Sequence, residues 1–89
     1  MPLTVERLNA VFPQGNDYGD FARFEYDSAI QRFTGEVISH EFIGLAVPER
    51  QKRIWDRLRE SFGEEAQEVS LVLAFSPIEW EEVGDRAAS

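Results

Sequence analysis

The chain has 89 residues, enough for one domain and too few for two. It lacks cysteine, which excludes a disulfide framework, thiolate metal sites and a thiol nucleophile. Its 17 acidic and 9 basic residues give a net charge of −8, which works against general nucleic-acid binding. Hydrophobic residues make up 43% and aromatics 12%, a composition suited to a packed core rather than to disorder.

From the N-terminus, Val5, Leu8, Val11 and Phe12 recur at helical spacing behind Thr4, a suitable N-cap, and Pro13 stops the pattern. Residues 13–20 read as a loop by composition. Phe21–Tyr26 alternates as a strand, Asp27-Ser28 is turn chemistry, and a second strand over 31–38 completes an antiparallel hairpin. Gly35 within it predicts a bulge. Residues 39–47 are irregular. Pro48-Glu49 suits the first turn of a helix that carries Ile54, Trp55, Leu58 and Phe62 on one stripe and stops at Gly63. Val69–Phe75 is apolar on both faces, which predicts a central strand. Ser76-Pro77-Ile78-Glu79 is a capping box for a short last helix, docked by Trp80 and Val83, before a tail expected to fray over 84–89. The order predicts an α+β domain: helix, strand, strand, helix, strand, helix, with a three-stranded sheet and helices packed on one face.

Five of the nine cations fall between Arg50 and Arg59, so residues 49–60 carry +2 on a body that carries −10 elsewhere. Opposite charges at helical spacing, Glu49–Arg53, Lys52–Asp56, Arg53–Asp56 and Arg57–Glu60, favour a salt-bridged exposed face over a phosphate-binding one. His40 is the only histidine and reads as a surface or satisfied structural residue. A Ser-His-Asp arrangement from Ser39 or Ser28 has no nucleophile-elbow motif behind it. The acidic clusters at 64–68 and 79–85 lack EF-hand spacing and read as solvated faces. Trp55 and Trp80 read as core residues on apolar stripes. No catalytic group, metal ligand or cofactor site is expected. No apolar run is long enough to span a membrane and the Met1-Pro2 start has no basic flank, so a cytoplasmic protein is expected.

Ser39-x-x-Phe42-x-Gly44-Leu45, then Arg50 opening a helix, then a strand closing in Ser76-Pro77-x-Glu79-Trp80, resembles the BolA-like family. Glu25-Tyr26-Asp27-Ser28 is similar to the end of that family's first strand, and the likeness extends over residues 3–83. The resemblance implies a small α+β fold related to type II KH domains and a non-enzymatic protein. It implies a protein partner, a monothiol glutaredoxin among the candidates, with a shared [2Fe-2S] cluster or a DNA-binding regulatory role in some members. Three positions depart from the family pattern. Gln51 stands where a histidine usually follows the arginine. Glu68 stands at or near the usual cluster-ligand histidine. The loop that supplies a second ligand is cut to Asp27 through about Ile30. Partner binding without cluster ligation is therefore expected, through segment 39–47 and the exposed side of helix 48–62: Phe42, Gly44, Leu45, Arg50, Lys52, Arg53 and Arg57. DNA binding through the same helix is the alternative.

Overall fold

The computed structural model describes the backbone of residues 3–88 and the side chains of residues 3–83; Met1, Pro2 and Ser89 lie outside the described residues. The element order is α1 (Val5–Ala10), β1 (Phe21–Asp27), β2 (Arg32–Ile38), α2 (Val47–Phe62), β3 (Val69–Phe75) and α3 (Pro77–Ala88). Short 3-10 turns at His40–Phe42 and Gly63–Glu68 flank α2. This is the α+β order expected from the sequence. No described helix is long and apolar enough to cross a membrane.

Local chemistry sets the ends of the elements. The Thr4 hydroxyl accepts from the Arg7 N–H at 3.1 Å and caps α1, which stops at Ala10, short of the predicted end, although Phe12 remains buried. Asp27 Oδ1 accepts from the Ala29 N–H and folds the hairpin turn. Pro48 sits in the first turn of α2, and Gly63 ends it at φ +59°, a positive φ that glycine adopts without a side-chain penalty. α3 continues past Gly84 to Ala88, through most of the tail expected to fray, and Ser89 lies outside the described residues.

β1 pairs antiparallel with β2, and β2 pairs parallel with β3, so the sheet order is β1-β2-β3. The central strand is β2. This corrects the expectation for Val69–Phe75: β3 is apolar on both faces yet lies at an edge, with Leu71 and Leu73 exposed. Gly35 is not a bulge. The register slips between Phe33 and Thr34, where Val69 is followed as a partner by Leu71, leaving Ser70 as the extra residue. Gly35 is required for another reason: a Cβ there would overlap the Phe24 ring and come within 2.8 Å of the Arg23 carbonyl oxygen.

The main core lies between the sheet and α1 with α2. Leu8 and Phe12 meet Phe24, Val37, Val69 and Val72 from the sheet and Ile54 and Leu58 from α2. Each such side chain contributes about 1.5–3 kcal/mol on burial. Trp55 and Phe62 are half-buried against this core. The third helix behaves differently. Pairing places Phe21, Ile38 and Phe75 on the opposite face of the sheet, and Trp80 of α3 packs there, 5.7 Å from the Phe21 ring and 5.5 Å from Phe75. Ile38 is 1% exposed beneath this second, smaller cluster. Val83, predicted to dock with Trp80, stays 38% exposed.

Side chains occupy part of each sheet edge. On β1, the Phe24 N–H donates to Asn9 Oδ1 at 3.1 Å, and Gln14 bonds both the N–H and the carbonyl of Ala22. On β3, Gln51 Nε2 donates to the Val72 carbonyl at 2.8 Å and Arg50 donates to the Ala74 carbonyl at 3.3 Å. Groups that would otherwise invite another strand are thereby satisfied.

Candidate functional site

Segment 39–47 leads from β2 into α2. The Ser39 N–H donates to the Phe75 carbonyl, fixing the segment to the end of β3, and the Ser39 hydroxyl accepts from the Glu41 N–H. The following turn buries Phe42 at 3% exposure, and Gly44 takes φ +78°, which a side chain would resist. The Leu45 N–H closes the bend onto the Phe42 carbonyl at 3.0 Å.

Arg50 is the hub of this region. It lies four residues before Ile54 and eight before Leu58, on the stripe that faces the sheet, and its side chain is 9% exposed. Its Nε donates to the Leu45 carbonyl at 2.8 Å, and Nη1 donates to the Ala74 carbonyl and, at 2.6 Å, to Glu79 Oε1. The guanidinium also lies 5.9 Å from the Phe42 ring centre. Glu79 in turn accepts from the Ser76 N–H at 2.8 Å, while its own N–H donates to the Ser76 hydroxyl. Thus Phe42, Leu45, Arg50, Ser76 and Glu79, distant in sequence, meet at one junction of α2, β3 and α3. This placement corrects the expectation for Arg50 and Phe42, which are internal supports rather than exposed contacts.

The Ser76 N–H, the Arg50 guanidinium and the Ser76 hydroxyl hold the Glu79 carboxyl down at about 2. A carboxylate depressed in the folded state stabilises the protein above its unfolded pKa, and that stability is lost as pH falls through the folded value. The loss here runs from about pH 5 down to pH 2. Because the side chain is 44% exposed, solvent screening limits the effect to about 1 kcal/mol. Glu79→Gln should therefore be less stable than the parent at pH 7, with the gap closing toward pH 2 in urea titrations. A gap independent of pH would contradict this assignment.

The other cations of α2 are also engaged. Lys52 pairs with Asp56 at 2.9 Å, and Arg53 lies 3.8 Å from Glu49, both predicted pairs. Asp56 is approached by Arg59 at 3.8 Å instead of by Arg53. Arg57 turns inward: it donates to the Val11 carbonyl at 3.3 Å and lies 5.5 Å from the Phe12 ring centre, so it ties α2 to the end of α1. Arg53 and Arg57 line a small cleft with Ser39, Glu41 and Phe42, so segment 39–47 and α2 do come together. What remains exposed is Ile43 at 59%, Gly44, Val47 at 63%, Lys52 and Arg53.

A second polar cluster involves two residues that local sequence patterns did not connect. Asp20 is 1% exposed and accepts from the His40 N–H at 2.8 Å, from His40 Nδ1 at 2.6 Å and from Asn16 Nδ2 at 3.1 Å. Burial pushes the Asp20 carboxyl up, but the hydrogen bonds from Asn16 and from the His40 backbone and ring outweigh it and hold it below the usual carboxylate range. An ionised carboxylate only accepts, so Nδ1 carries the proton. Tyr18 stacks on the imidazole with ring centres 3.9 Å apart. His40 is thus a satisfied structural histidine that pins loop 13–20 to the end of β2. The Ser39 hydroxyl, needed for a nucleophilic triad, is buried and committed to the Glu41 N–H.

Among the described residues no group of three or more His, Asp or Glu side chains is placed to hold a metal. Glu68 ends the 3-10 turn after α2 and is exposed. Gln51 seals β3 and accepts from the Trp55 indole N–H at 3.1 Å. Comparison with family models, curated proteins and solved structures finds no match to this chain.

Proposed function

We propose that the protein is a BolA-like adaptor of the cytoplasm that binds a protein partner, carries out no catalysis and ligates no iron–sulfur cluster. The sequence features that carry the family resemblance support this reading by meeting at the Arg50–Glu79 junction. The observation that carries the binding role is the pair of large apolar side chains, Ile43 and Val47, held out on either side of the exposed Gly44 and Ala46. Lys52 and Arg53 follow on the exposed side of α2 and favour an acidic partner. By family resemblance a monothiol glutaredoxin is the first partner to test. Nucleic-acid binding is the weaker reading, because every cation from Arg50 to Arg59 has a carboxylate, carbonyl or ring partner within the chain and the net charge is −8.

The test is calorimetric titration with a monothiol glutaredoxin and affinity capture from the native host, using wild type and two double variants. Ile43→Ser with Val47→Ser, and Lys52→Glu with Arg53→Glu, should each weaken the partner by at least about tenfold while cooperative melting persists. Reconstitution of the two proteins with iron and sulfide should not give the mixed-ligand spectrum of a histidine-bound cluster. Undiminished binding by both variants would reject this surface, and a stable heterodimer with histidine-type cluster bands would reject the absence of ligation.

A further inference from the structure

We infer that the face of the sheet turned away from α1 and α2 receives a basic amphipathic helix from a partner protein. The strand pairings place Arg23 and Glu25 of β1, Thr34 and Glu36 of β2, and Leu71 and Leu73 of β3 on this face. α3 covers only one end of it, where Trp80 closes over Phe21, Ile38 and Phe75. Beyond that end Leu71 is 53% and Leu73 44% exposed, and with Arg23, Glu25, Thr34 and Glu36 they line an open groove of about 450 Å³.

Three observations identify the occupant. Side chains already occupy the Ala22 N–H and carbonyl, the Phe24 N–H and the Val72 and Ala74 carbonyls, which disfavours an added strand at either edge and favours a partner arriving face-on. The covered end shows what fits: a helix presenting a large apolar side chain, as α3 presents Trp80. Charge then selects the partner. Glu25, Asp27 and Glu36 outnumber Arg23 and Arg32 on this face, and Arg23 is already held by Glu36 at 2.8 Å and lies 5.5 Å from the Trp80 ring centre. A second copy of the chain would set one net charge of −8 against another, whereas a helix with cations flanking its apolar stripe would lay them over Glu25, whose cross-strand neighbour is Thr34 rather than a cation, while its apolar side chains meet Leu71 and Leu73. This surface is distinct from the one at Ile43 and Val47.

The test uses two synthetic 18-residue amphipathic peptides, each with leucines on one face and either lysines or glutamates on the other, titrated into the full chain by NMR. The lysine peptide should shift the amides of Thr34, Glu36, Leu71 and Leu73, and the glutamate peptide should not. Leu71→Ser with Leu73→Ser should weaken the lysine peptide at least tenfold without loss of cooperative melting, and Glu25→Gln should weaken it less. Shifts spread over the whole surface or centred on Ile43 and Val47 would overturn the proposal, as would equal binding of the glutamate peptide. Dimerisation of the protein alone that is abolished by the two serine substitutions would also overturn it, by assigning the face to a second copy.

Discussion

Replacing Leu58 with alanine is expected to cost about 3–4 kcal/mol, through lost transfer free energy and the cavity left behind. Leu58 is 0% exposed, lies one turn beyond Ile54, and faces the sheet from the middle of α2. A domain of this size has only a few kcal/mol more than that to lose, so urea unfolding should shift to a much lower midpoint. Leu71→Ala is the internal comparison. The same chemical change at a 53% exposed position should stay within about 0.5 kcal/mol. A Leu58 variant that loses less than about 1 kcal/mol would show that α2 is not seated as described.

Arg50→Ala is expected to cost about 3 kcal/mol, the low end for breaking a buried ion pair, because Glu79 remains partly solvated. Three acceptors lose a donor at once: the Leu45 carbonyl, the Ala74 carbonyl and Glu79. Arg50→Lys should recover little, since an ammonium cannot span all three in the geometry of the planar fork. A double-mutant cycle with Glu79→Ala should give a coupling of about 1 kcal/mol, measured by the same urea titrations. Full rescue by lysine, or additive single effects, would reduce Arg50 to a packed aliphatic stem.

Why Arg50 reads as a surface cation in the sequence is instructive. It belongs to the most basic stretch of the chain, and average hydropathy assigns it to water. Its spacing says otherwise, since positions 50, 54 and 58 form one stripe, and arginine is the cation whose fork satisfies several acceptors while its stem packs. α2 itself was legible because Pro48, the Ile54–Leu58 repeat and Gly63 agree on its limits. β3 was legible as a strand but not as an edge. Two-sided apolarity shows that both faces have affinity for a cover, and it does not say whether the cover belongs to the same chain. The Asp20–His40 bond had no local signature, because its partners are 20 residues apart and Asp20 sits in a stretch whose composition signals only a loop.

The sealing of β3 also bears on the order in which the chain assembles. The β1–β2 hairpin closes over a four-residue turn and costs the least loop entropy of the two strand pairings, whereas β3 must reach β2 across the whole of α2. Until it does, the free side of β2 is open to any extended segment, including one from a neighbouring chain. Arg50 and Gln51, which close the outer side of β3, are carried by the same helix that delivers the strand. The Val72 and Ala74 carbonyls on the new edge are therefore covered in the same step that adds the strand to β2.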